Sequence, residues 1–112
     1  MKVDLLQGTL DMLILKALTW GSMHGYDVMH WLERTTDAAL QVEEGSLYPA
    51  LHRMAKRGWV KSEWGVSDNN RRAKYYSLTP AGRQQLRAQA TSWEVFTGVV
   101  SKVLSADATA RA

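Results

Sequence analysis

Apolar positions recur at helical spacing through the first half of the chain. Leu10 to Leu18 reads as a first helix, with Thr9 as its cap and Asp11 near the positive end of the dipole. Trp20-Gly21-Ser22 ends it, and Gly25 to Arg34 reads as a second helix with Val28, Trp31 and Leu32 on one stripe. A connector, Thr35 to Val42, leads to a third helix from Ser46 to Arg57. With Ser46 as N-cap, Pro49 falls at the third helical position, where its missing N–H has no intrahelical partner to lose. Leu47, Leu51 and Met54 follow i, i+4, i+7 and form the inner face. Pro49, His52, Arg53 and Lys56 fall on the other face, with Tyr48 at its edge, and Gly58 stops the helix.

The period then changes. Trp59 to Trp64 alternates as a strand, Val60, Ser62 and Trp64 opposing Lys61 and Glu63. Gly65 to Asn70 carries turn residues, and Ala73 to Leu78 returns as a second strand with Tyr76 and Leu78 on one face. This predicts a β-hairpin with a polar, basic tip. Thr79-Pro80 reads as an N-cap followed by proline at N1, opening a long helix to about Val103. On that helix Leu86, Trp93 and Val100 repeat at seven, with Phe96 and Val103 three residues after the last two and Ala90 and Leu104 beside them. A helix that leaves the domain after a hairpin has little of its own fold to cover such a seam, so a second copy of the chain is the expected cover. Folding back onto the first helix is the alternative.

The expected fold class is mainly α with a two-stranded β-wing: a winged helix-turn-helix over residues 1–79, a C-terminal dimerisation helix over 80–104 and a disordered tail over 105–112. With 112 residues the chain is long enough for one domain and one extra element. It contains no cysteine, which removes disulfides, thiolate nucleophiles and cysteine-ligated zinc. Its N-terminal apolar run, Met12 to Leu15, is closed by Asp11 and Lys16, far short of a membrane span, and Asp4 and Asp11 disfavour a signal peptide. The expectation is a cytoplasmic protein without a membrane partner.

Net charge is only +3, but it is unevenly spread. Residues 52–76 carry seven Lys and Arg against two acids, whereas residues 1–51 carry three against seven. A cationic block on a third helix and hairpin is the footprint of a polyanion binder. The order of elements places the third helix in a DNA major groove and the wing along the backbone or in the adjacent minor groove. Arg53 and His52, mid-helix and outward, are the candidates for base edges. Ser46, with the free N–H groups at the helix start, and the Tyr48 hydroxyl suit phosphates. Pro49 and Lys56 complete that face, and Asn70, Arg71, Arg72 and Lys74 form the wing contribution. His24 and His30 lack metal-ligand partners and are assigned to structure.

An enzyme is disfavoured: there is no metal cluster, no Gly-rich phosphate loop, no cofactor motif and no nucleophile–base pair, and Glu43 and Glu44 point apart as neighbours. The competing binding reading is a winged-helix module for protein contact with no DNA target.

The stretches LLQGTLDMLILKAL, HGYDV, EEGSLYPALHRMAKRGWV and RRAKYYSLTPAG resemble the PadR family of bacterial transcriptional regulators, from Leu5 to about Gly82. The resemblance implies a dimeric winged-helix regulator, in most members a repressor, with Tyr48 and its neighbours on DNA and the final helix building the homodimer together with the first. A dimer implies a palindromic double-stranded operator. Several members respond to small aromatic or cationic compounds, which makes such an effector a candidate partner. Leu86, Ala90, Trp93, Phe96, Val100 and Val103 are the candidate dimer interface, and Trp93 and Phe96 could line an effector pocket there; a plain packed interface is the alternative. A single helix after the wing resembles the small branch of the family, which puts the phenolic-acid effector of the longer branch in doubt.

Overall fold

A computed structural model describes residues 8–107 and 109. The elements run α1 (Thr9–Ala17), a 3₁₀ turn (Leu18–Trp20), β1 (Met23–His24), α2 (Gly25–Thr35), α3 (Glu44–Lys56), β2 (Val60–Val66), β3 (Arg72–Leu78) and α4 (Pro80–Ser105). The fold class is the expected one, mainly helical with a β-wing and a long last helix. Of the expected tail over 105–112, Ser105 itself closes α4, and residues 108 and 110–112 lie outside the described residues. Residues 1–7, which open the expected first segment, lie outside them as well.

Three local expectations are corrected. Thr9 does not cap α1: Gly8 does so in the left-handed region at φ 89, and Thr9 is the first helical residue. The wing is not an isolated hairpin. Met23–His24 pairs antiparallel with β3, so the sheet has three strands in the order β1-β3-β2. Third, Ser46 is not the cap of α3. The helix opens three residues earlier, after an extended Glu43 whose carbonyl accepts from both Ser46 N–H and Leu47 N–H, each at 3.0 Å. Pro49 is therefore the sixth helical residue, and the Gly45 carbonyl receives no i+4 N–H from it.

The core gathers one stripe from each element. Ile14, Leu15 and Leu18 meet Val28 and Leu32, with Leu47, Leu51 and Met54 of α3 below and Val60 and Tyr76 of the sheet at one end. The 3.6-residue period placed Val28, Leu32, Leu47, Leu51 and Met54 on apolar stripes, and these are buried. The C-terminus of α3 is fixed by a Schellman pair, Trp59 N–H to Met54 O at 3.0 Å and Gly58 N–H to Ala55 O at 3.1 Å, with Gly58 at φ 77.

The junction into α4 is equally specific. The Thr79 hydroxyl donates to Gly58 O at 2.5 Å and accepts from Gly82 N–H at 3.0 Å, while Thr79 N–H donates to Trp59 O at 3.1 Å. This is the predicted Thr-Pro cap, now also tying the helix start to the end of α3. From there α4 packs along α1, and Leu86 reaches the core. At 1.5 Å per residue its 26 residues extend about 39 Å, which accounts for a longest molecular axis of 64 Å.

Candidate nucleic-acid interface

The face of α3 that turns away from the core sets the site. With 3.6 residues per turn, Gly45, Pro49, His52 and Lys56 fall opposite Leu47, Leu51 and Met54, and all four are exposed. Tyr48 and Arg53 occupy the two flanks of that face. Each flank is pinned by a neighbouring helix, which local sequence reading missed.

On the Tyr48 flank the neighbour is α2. His24 caps α2 through Nδ1, which accepts from Asp27 N–H at 3.2 Å and leaves the ring proton on Nε2, 3.4 Å from Asp27 Oδ2. His24 thus serves structure, as expected. Gly25 follows, and a Cβ there would strike the Tyr48 hydroxyl and lie 2.7 Å from its ring carbon Cζ. The glycine lets the phenol lie across the helix start. Tyr26 one residue on hydrogen-bonds Glu44 Oε1, joining α2 to the first turn of α3. That hydrogen bond raises the Tyr26 pKa, and burial, helped by the Glu44 charge, raises that of Tyr48. Both phenols therefore remain neutral donors at neutral pH.

On the other flank Arg53 does not project freely. Its Nη2 donates to Asp11 Oδ1 of α1 at 2.8 Å. Asp11 is 8% exposed, whereas the Arg53 side chain keeps 51% of its surface.

The wing turns its charge inward. The register pairs Ser62 with Tyr76, Trp64 with Lys74 and Val66 with Arg72, so these six side chains share one face. Buried Tyr76 identifies it as the face toward the helices. Arg72 lies 4.5 Å and Lys74 5.8 Å from the Trp64 ring centroid, two cations held by one indole that is itself 57% exposed. The turn is closed by Ser67 N–H to Arg71 O at 2.8 Å and Asn70 N–H to Ser67 O at 2.9 Å, with Asn70 left-handed at φ 58. Asn70 thus has a defined geometric task in the turn. Between wing and helices lies a concavity of about 690 Å³, lined by Tyr26, His30 and Tyr48 on one side and Trp64, Arg71, Arg72 and Lys74 on the other.

Trp64 was read from sequence only as a strand position. The signal in the sequence is alternation alone, which puts Trp64 on one face with Val60 and Ser62 and spaces Arg72 and Lys74 two apart on the returning strand.

The seam of α4 is graded. Leu86 packs on the core, Ala90 and Val100 are half-buried, and Trp93, Phe96 and Val103 are exposed, Phe96 by 57% and Val103 by 71%. Trp93 and Phe96 stand 6.4 Å apart at 44°. With Gly8, Thr9, Met12, Gln89 and Ser92 they line a groove of about 420 Å³ between α1 and α4. Among the described residues no helix is long and apolar enough to cross a membrane, and no cluster of three His, Cys, Asp or Glu is placed to hold a metal.

Comparison with known proteins agrees with this geometry. Residues 14–88 match the Transcriptional regulator PadR-like family. A transcriptional regulator from Clostridium thermocellum is similar at 31% identity and a TM-score of 0.81, covering 89% of this chain and 97% of its own. A PadR-like transcriptional regulator from Bacillus cereus is similar at 29% identity and a TM-score of 0.77, covering 91% and 97%. A protein X of Lysinibacillus sphaericus is 30% identical over 91 residues, 80% of this chain and 83% of that one. Matched over most of its winged helix and over the start of its last helix, the chain belongs to the PadR-like family and is a DNA-binding transcriptional regulator.

Proposed function

We propose that the protein is a dimeric repressor that seats α3 in the major groove of a palindromic operator and is released by a small-molecule effector. The observation that carries this reading is the concave face on which Tyr48, at the edge of the outer face of α3, meets the inward cations of the wing. Pro49, His52 and Lys56 lie at the centre of the groove-facing surface, and Arg53 reads at its edge. Tyr48 and the start of α3 at Ser46 meet phosphates, and Arg71, Arg72 and Lys74, on a turn shaped by Asn70, follow the backbone.

Residues 80–104 serve as the dimerisation helix. The exposed apolar residues Trp93, Phe96, Val99, Val103 and Leu104 support a second copy as their cover, and a two-fold pair of readers matches operator half-sites one helical turn apart. The groove beside Trp93 and Phe96 suits a flat aromatic compound. Such a ligand releases DNA to the extent that it binds the DNA-incompetent dimer more tightly.

Selection of bound fragments from a random duplex pool at fixed salt tests the reading. A palindromic consensus is the expected result. Enrichment of nothing would overturn it and favour a module for protein contact. Val103→Asp places a charge in the proposed dimer seam and is expected to yield a folded monomer at micromolar concentration, read by sedimentation. A dimer that survives this change would rule the seam out.

Gly25→Ala tests the Tyr48 flank. The new methyl displaces the phenol, at a cost of about 1–2 kcal/mol in stability. The expected affinity loss matches that of Tyr48→Phe, measured by fluorescence anisotropy with both variants checked for folding.

A further inference from the structure

The Asp11–Arg53 pair spans 42 positions of sequence and joins α1 to the edge of α3. A carboxylate as enclosed as Asp11 requires a counter-charge, which explains why Arg53 is drawn to that side. It does not explain why half of the arginine side chain stays in solvent on the flank of the groove-facing surface. A guanidinium carries five N–H donors in one rigid plane. With Nη2 fixed on Asp11, the plane is oriented and its remaining donors are left for a further acceptor. An unpinned arginine would instead have to give up its rotamer freedom on binding.

Asp11 is also placed to connect this contact with the opposite side of α1. Its neighbours Thr9 and Met12 line the groove between α1 and α4, while Asp11 faces α3. A displacement of the first turn of α1 carries Asp11, and with it the guanidinium plane.

We infer that Asp11 is a positioning residue for sequence reading: it orients Arg53 so that the free edge of the guanidinium meets a base edge on the side of the groove away from the wing, and it ties that contact to the position of α1. This rests on the DNA-reading role proposed for α3.

A double-mutant cycle tests it. The quantity read is the affinity for the duplex selected by the wild-type protein divided by that for a scrambled duplex, at one salt concentration. Arg53→Gln and Asp11→Asn are each expected to lower this ratio about tenfold, the scale of one oriented arginine contact to a base. The double variant D11N/R53Q, which leaves no unpaired buried charge and so retains its fold, is expected to match R53Q alone. Asp11→Glu keeps the charge but shifts the guanidinium, and a several-fold loss is expected with affinity for scrambled DNA unchanged. A purely structural pair would lower melting temperature without moving the ratio.

An unchanged ratio in R53Q overturns the inference, as does a full further loss on adding D11N to R53Q. Should R53Q or D11N not fold, a ratio for D11E within twofold of wild type overturns it. If the wild-type protein itself selects no sequence, the DNA-reading role falls first and this inference with it. A wild-type protein that discriminates while the cycle shows no coupling removes the inference alone.

Discussion

An Arg72→Ala/Lys74→Ala protein is expected to bind the operator and unrelated duplexes equally poorly relative to wild type, about 10- to 100-fold more weakly at 0.1 M salt. Each phosphate contact releases condensed counterions, so removing two should flatten the slope of log affinity against log salt by about 1.8. The ratio of specific to non-specific affinity should barely move, because phosphate contacts carry no sequence information. The two residues are singled out by register: both share the inner face of the wing with Trp64, and both lie against its indole. Their loss leaves the core untouched, so the melting temperature should stay near wild type. Titrations at several salt concentrations decide the matter, and an unchanged slope would remove these cations from the interface. Trp64→Ala should give a smaller loss of the same kind, since it keeps both charges and frees only their orientation.

This inward orientation was partly legible in the sequence. Alternation along 59–64 and 73–78 put Trp64 with Val60 and Ser62, and the basic count put charge on the hairpin. What alternation lacks is the partner strand's register, which pairs Trp64 with Lys74 and Val66 with Arg72. The inner face of α3 was fully legible, because Leu47, Leu51 and Met54 obey one period and are all buried. Its start was not. Ser46 has a strong capping propensity, yet Tyr26 holds Glu44 from another helix, and this tertiary contact accompanies a start three residues earlier. β1 is two residues long and offers no period to detect. Asp11 was read as a complement to the helix dipole, a local role. Its bond to Arg53 is a contact between helices and leaves no trace in either helix's own pattern.

Gly82 is the residue at which a single methyl group should do the most damage. In an open helix a Gly→Ala change stabilises by about 0.8–1.0 kcal/mol, and Gly98 on the same helix meets that condition: nothing lies within 4 Å of a Cβ built there, and it sits on the side of α4 opposite Trp93 and Val100. At Gly82 the same methyl would overlap the Trp59 carbonyl oxygen and lie 2.9 Å from its carbon and 3.1 Å from Leu78 Cδ2. The obstacle is backbone, and that backbone is held on both sides. Trp59 O accepts from Thr79 N–H at 3.1 Å, and Trp59 N–H completes the Schellman pair on Met54 at 3.0 Å. Relief therefore requires α4 to back away from the end of α3, which breaks the Thr79 bridge between them. Overpacking against a rigid neighbour costs about 1–3 kcal/mol or more, which outweighs the propensity gain. Gly82→Ala should thus lose about 2 kcal/mol net, or roughly 10 °C in melting temperature for a domain of this size, while Gly98→Ala should gain up to about 1 kcal/mol. Both are read by circular dichroism at one protein concentration, since association shifts apparent stability. Equal melting of the two variants would mean that α4 does not rest on Trp59.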